Sequence, residues 1–167
     1  MCLSRSLPRI AAVLACLALV AACTSEPDSS EAEKPTLAEA AQQLVADGDA
    51  LLTSLAESQT GTASATERAE QDKGEACLPD EVQRFFRAEG NMAGRHAAFN
   101  IAGLMQTHLR ALGYEDLVDD LDIRDQKLSV VAGRNPKTDI TYVVAVQLEQ
   151  KPNIRIVGKT ACYKQAG

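Results

Sequence analysis

DITYVVAVQLEQKPNIRIVGKTACY, residues 139–163, carries the clearest strand signal in this 167-residue chain. Ile140, Tyr142, Val144, Val146 and Leu148 alternate along one side, while Val143 and Ala145 place apolar groups on the other. Successive strand side chains point to opposite faces, so a segment apolar on both predicts a central strand. Lys151-Pro152-Asn153 interrupts the pattern and residues 154–163, IRIVGKTACY, resume it, which reads as an antiparallel hairpin.

Working back from that hairpin, Leu128, Val130 and Ala132 alternate in another strand, and Gly133-Arg134-Asn135-Pro136-Lys137 supplies the turn between them. Residues 114–125, YEDLVDDLDIRD, are acidic and irregular, with a short helical turn expected around Leu117. Before them, Ile101, Leu104, Met105, Leu109 and Leu112 share one side of a helix predicted over 95–112, with Gly113 placed to end it. EVQRFFRA, residues 81–88, reads as the first strand of this region, followed by a turn at Gly90-Asn91 and Gly94.

Further back, Thr36-Leu37-Ala38-Glu39 has the form of a capping box after Pro35. Leu37, Ala41, Leu44, Gly48, Leu51 and Leu55 then recur at spacings of three and four, which predicts an amphipathic helix within residues 36–57. Asp47 and Gly48 weaken the middle of that helix, so docking of its leucine stripe must stabilise it. Residues 58–75, SQTGTASATERAEQDKGE, are polar and of low complexity and read as a linker.

The first 22 residues begin with Arg5 and Arg9 and continue in an apolar run from Ile10 to Ala22. That run falls short of the ~20 residues needed to cross a bilayer and has the anatomy of a secretory signal. LVAAC, residues 19–23, resembles a bacterial lipobox. The resemblance implies a thioether-linked diacylglycerol on Cys23, cleavage just before it, and an acylated new amino terminus. Two or more chains, at about 0.8 kcal/mol per buried CH₂, would hold the chain at a membrane more firmly than one. Residues 23–35 then comprise the lipidated cysteine and a flexible tether rich in Ser, Glu, Asp and Pro, with a random-coil reach of roughly 20 Å.

Of the five cysteines, Cys2 and Cys16 leave with the signal and Cys23 carries the lipid. The remaining pair, Cys77 and Cys162, reads as a disulfide in an exported chain. A bridge requires α-carbons about 4.4–6.8 Å apart, so the start of the first strand must lie beside the end of the fourth. The expectation is therefore an α+β, two-layer domain over residues 76–167. It has a four-stranded antiparallel sheet in the order 1-4-3-2, the helix of 95–112 across one face, and an additional N-terminal helix.

CLPDEVQRFFRAEG (residues 77–90), the helix after it and the segment 139–163, all behind LVAAC, resemble a small alanine-rich envelope lipoprotein of actinobacteria. The resemblance implies extracytoplasmic placement at the cell membrane, by a lipid anchor, and no catalytic residue.

Chemistry-bearing residues are sparse. His96 and His108 are separated by 12 positions, about 18 Å along a helix, too far to share a metal or a substrate. Glu115, Asp116, Asp119, Asp120, Asp122 and Asp125 form the one dense carboxylate cluster, but without the central glycine and closing glutamate of an EF-hand they read as a solvated loop. Arg84, Arg87, Arg95 and Arg134 read as solvent-facing charges that discourage strand association rather than as an anion site. No metal, cofactor or catalytic set is expected.

Loss of Arg5 and Arg9 takes 17 basic residues to 15 against 23 acidic ones, so −6 becomes −8, which disfavours nucleic-acid binding. The expected function is a non-catalytic interaction or accessory module. Its partner, an envelope protein, would meet the sheet face carrying Val143, Ala145 and Val157, if the N-terminal helix leaves that face uncovered. The alternative is a carrier of lipid or another apolar ligand in a cavity between sheet and helices, roughly 300 Å³ or larger.

Overall fold

The computed structural model describes residues 34–69, 77–117, 123–124 and 126–164. The signal segment, Cys23 and the tether before Lys34 lie outside the described residues. In chain order the elements are α1 (Leu37–Glu57), β1 (Gly61–Arg68), β2 (Glu81–Val82), β3 (Phe85–Met92), α2 (Ala98–Ala111), β4 (Glu115–Asp116), β5 (Ile123–Arg124), β6 (Leu128–Arg134), β7 (Thr141–Gln147), β8 (Ile154–Lys159) and β9 (Tyr163–Lys164).

The class is α+β, with two helices and a large antiparallel sheet, but the expected four-stranded sheet in the order 1-4-3-2 is corrected. The main sheet runs β1-β3-β8-β7-β6-β4, with β5 also paired to β6, and β2 and β9 form a separate two-stranded ribbon. The four segments picked out in the sequence become β3, β8, β7 and β6, neighbours inside this larger sheet. Two departures enlarge it. First, the linker expected over 58–75 contributes edge strand β1, whose inward positions Gly61, Ala63 and Ala65 are too small to register as a hydrophobic pattern. Second, the segment after α2 pairs with β6, and Leu117 donates its N–H to Ala132 O at 3.0 Å, where a helical turn was expected.

Strand one also divides differently. Glu81 and Val82 leave the main sheet to pair with Lys164 and Tyr163, and β3 starts at Phe85. β3 then runs through Gly90-Asn91, the expected turn, to Met92. Gly90 faces Ala63 of β1, and a Cβ there would lie 2.1 Å from Thr62 O and 2.5 Å from the Ala63 Cα. Its glycine permits close approach of two backbones rather than a reversal.

α1 begins as its sequence predicts. Glu39 N–H donates to Thr36 Oγ1 at 3.3 Å, and Thr36 N–H donates back to Glu39 Oε2 at 2.8 Å. The Thr36 backbone N–H, and after it the Thr36 hydroxyl donating to Glu39 Oε2 at 2.8 Å, hold the Glu39 carboxyl below its ordinary value. α2 spans 98–111, within the predicted 95–112, and buries Ile101, Met105 and Leu109.

Both helices lie on one face of the sheet, α1 over β1, β3 and β8 and α2 over β6 and β7. Between the layers Leu44, Leu51, Leu55, Phe86, Ile101, Met105, Tyr142, Val144, Ile154 and Ile156 are all fully buried. Gly48 is what allows α1 to approach: a Cβ there would sit 2.5 Å from the Phe86 ring. The residue that weakens the helix in isolation is therefore required by its docking.

Asp47 has a comparable double role. Its carboxylate, 3% exposed, accepts Tyr114 Oη–H at 2.7 Å and Gln43 Nε2–H at 2.7 Å. Beside it Tyr142 donates its hydroxyl to Leu44 O. The Tyr142 ring meets Tyr114 and Phe86 edge-on, at centroid separations of 5.6 Å and 6.1 Å. Burial pushes both tyrosine hydroxyls well above their ordinary value of 10, and the Asp47 charge adds to the effect on each.

The sign of the pH dependence follows. Above about pH 10 the unfolded tyrosines release protons that the folded ones retain, so the tyrosine contribution to stability is constant below that point and falls above it. Each tyrosine contributes about 1.4 kcal/mol per pH unit in that window. Burial raises the Tyr163 hydroxyl as well, so Tyr114→Phe should remove about a third to a half of the tyrosine-dependent slope in denaturant titrations above pH ~10. Equal slopes in the two proteins would refute this.

Candidate functional site

With both helices on one side, the other face of the sheet is left without a helix among the described residues. Alternation decides what it carries. In β7 the inward set is Tyr142, Val144 and Val146, so Val143 and Ala145 point outward. Pairing places Val143 between Val157 of β8 and Ala132 of β6, and Ala145 beside Val130 of β6. Val143 is 36% exposed, and the others are half-buried by one another. The result is a contiguous aliphatic patch on the three central strands, and it contains all three residues expected there: Val143, Ala145 and Val157.

β6 explains how the patch arises. Its apolar residues Leu128, Val130 and Ala132 are on the open side, while Ser129, Val131 and Gly133 face the helices. The strand thus spends much of its aliphatic surface away from the core, which is a feature of interaction faces more than of solvated ones.

Paired charges rim the patch. On the β3 side the Arg87 guanidinium lies 4.4 Å above the Phe85 ring and bonds Glu67 of β1. A register shift between Ala65 and Glu67 places Glu67 opposite Arg87, with Thr66 Oγ1 donating to Arg87 O at 3.2 Å. Arg155 and Glu89 form a looser pair at 3.6 Å. At the β6–β7 turn Asp139 takes Arg134 at 2.7 Å and Lys34 at 3.4 Å. Burial raises the Asp139 carboxyl, but Arg134 and Lys34 together outweigh it and hold it below the usual range.

The remaining candidates are scattered. Arg84, Arg87, Arg95 and Arg134 do not gather: Arg87 rims the patch, Arg134 bonds Asp139, and Arg84 N–H donates to Thr160 Oγ1 at 3.0 Å. His108 sits half-buried in the last turn of α2, whereas His96 and Arg95 line an open cleft of about 610 Å³ near the β7–β8 turn. Of the acidic cluster, Asp116 is held by Arg110 and Glu115 pairs with Arg134 in the β4–β6 ladder, while Asp119, Asp120, Asp122 and Asp125 lie outside the described residues.

Cys77 and Cys162 are joined, with α-carbons 5.8 Å apart, just ahead of β2 and β9. The bridge staples the two-stranded ribbon, and Gln83 Nε2 lies 3.2 Å and 3.3 Å from the two sulfurs. Glu81 lies close to both, but sulfurs bonded to each other are not the thiolates a metal requires. Among the described residues no helix is long and apolar enough to cross a membrane. Comparison with known proteins finds no matching family model, no similar curated protein and no similar solved structure.

Proposed function

We propose that the chain is a lipid-anchored extracytoplasmic module of a bacterial envelope, without catalytic activity of its own, that binds a protein partner through the open face of its sheet. The observation that carries this reading is the placement of α1 and α2 on the same side, which leaves the opposite face, with Val130, Ala132, Val143, Ala145 and Val157 at its centre, without a helix among the described residues. An aliphatic centre inside a rim of internally paired charges has the anatomy of a protein–protein interface. Because Arg87, Arg155 and Arg134 are already matched by Glu67, Glu89 and Asp139, the patch favours an apolar protein surface over a charged ligand.

The alternative of carriage between sheet and helices draws no support from that layer, which is filled by the buried side chains of both. The lipobox resemblance of LVAAC, with Cys23 as acceptor, supports the anchor. The disulfide supports an oxidising compartment.

A photo-crosslinking residue at position 143, in the full chain in intact cells, tests the reading. A discrete adduct is expected there, absent with the probe at exposed Lys164 and lost when Val157→Asp is added. Labelling equal at the two positions would count against a specific face. In the same cells Cys23→Ala should move the protein from the membrane to the aqueous fraction, and continued membrane retention would count against lipidation.

A further inference from the structure

The open cleft beside His96 has a composition at odds with the rest of the molecule. In a chain with 23 acidic and 17 basic residues, it is lined by Arg95, His96, Lys127 and Lys151 with the amides of Gln126 and Asn153, and, among the described residues, by no carboxylate. These residues come from three separate places: the segment entering α2, the segment entering β6, and the β7–β8 turn. Lys127 also reaches Glu149 at 2.7 Å, with both side chains largely exposed, a pair that an incoming anion can displace at little cost. Asn153 holds the floor in place, its Oδ1 accepting Met92 N–H at 2.8 Å.

α2 points the same way. Its N-cap is Ala97, a lining residue with no side-chain acceptor, and although Ala98 N–H donates to Gln126 O at 2.9 Å, no side chain caps this end of the 14-residue helix. The backbone leaves a partial charge of the same sign as the side chains of Arg95, Lys127 and Lys151.

We propose that this cleft binds an anionic group, phosphate or carboxylate, carried by a polymer that reaches the end of the domain opposite Lys34. The strands set the distance between the cleft and Lys34. The chain enters α1 at Lys34, which pairs with Asp139 in the β6–β7 turn. β7 then runs from that turn through Thr141–Gln147 to Leu148, Lys151 and Asn153 at the cleft. Seven residues at about 3.4 Å each separate the two ends by roughly 24 Å. An open cleft of about 610 Å³, lined by exposed lysines and an exposed arginine, accepts charged groups along a chain more readily than it encloses a small molecule. The orientation rests on the lipid-anchor reading, whereas the anion site itself does not.

The test uses the full chain in phosphatidylcholine nanodiscs, titrated with polyphosphate and followed by calorimetry. Saturable binding is expected, with Arg95→Gln and Lys151→Gln each weakening it roughly tenfold. Lys137→Gln removes the same charge from the exposed β6–β7 turn at the opposite end and should leave affinity unchanged. Thermal melts of each variant matching the parent exclude misfolding as the cause. No binding, or equal loss in Lys137→Gln, would overturn the site.

A second arm replaces part of the lipid with phosphatidylglycerol. Unchanged polyphosphate affinity is expected, and a reduced affinity would overturn the polymer assignment by showing that headgroups fill the cleft. If the protein fails to remain with the discs yet still binds polyphosphate through Arg95, the anchor fails while the site stands.

Discussion

Protein carrying Cys77→Ser together with Cys162→Ser should be less stable than the oxidised parent by about 4–5 kcal/mol, the value the chain-entropy relation gives for a closed loop this long. The bridge spans a sequence separation of 85 and constrains the unfolded chain far more than the folded one. In the native state its ends are already held by the β2–β9 pairing and by Thr160 N–H donating to Arg84 O at 3.1 Å. For a domain of this size the loss corresponds to a fall in melting temperature of roughly 15 °C. Reductant should bring the parent protein to the same midpoint as the double variant. A shift of only a degree or two would mean that the ribbon, not the covalent link, limits the unfolded ensemble.

The second large effect is expected at Asp47. Asp47→Ala removes the acceptor for Tyr114 Oη–H and Gln43 Nε2–H and leaves the Tyr114 hydroxyl, in a residue 3% exposed, without its partner. An unsatisfied buried donor costs about 1–3 kcal/mol, and bonds to a charged group stand at the upper end. A net loss of about 2–3 kcal/mol is expected, after a few tenths returned by the better helix propensity of alanine. Asp47→Asn keeps an acceptor and should lose less than half as much. A double-mutant cycle with Tyr114→Phe separates the pair from general damage: the two losses should be strongly non-additive. Simple additivity would show that Asp47 acts through helix geometry alone.

Asp47 also illustrates what the sequence could and could not disclose. In local terms an aspartate beside a glycine is a weak point in a helix, and the periodicity of Leu44, Leu51 and Leu55 makes α1 legible despite it. What Asp47 and Gly48 do depends on Tyr114 and Phe86, which lie 67 and 38 positions further along the chain, and no local pattern couples them.

β7 and β8 were legible because alternation is strong there. β1 was not, since GTASATER alternates only between small and polar residues; at Gly61 a Cβ would meet Ile154 Cδ1 at 2.8 Å and Asn91 O at 2.9 Å. Leu128, Val130 and Ala132 gave the right strand, but it is Ser129, Val131 and Gly133 that face the helices, because the apolar side of β6 is turned outward. The open face could be named from the second side of β7. Whether a helix covers it is a matter of topology, decided by α1 docking beside α2. The cationic cleft left no trace in the sequence, because Arg95, Lys127 and Lys151 converge only once the sheet has formed.

The link between Cys77 and Cys162 makes a covalent ring of everything from β2 to β8. One peptide bond cut within that ring, for instance at the exposed Pro136–Lys137 turn, yields a nicked molecule whose two pieces stay attached. In the extracytoplasmic placement proposed above, such a scar leaves the sheet able to close again. Only a second insult, reduction of the bridge, turns the nick into a loss.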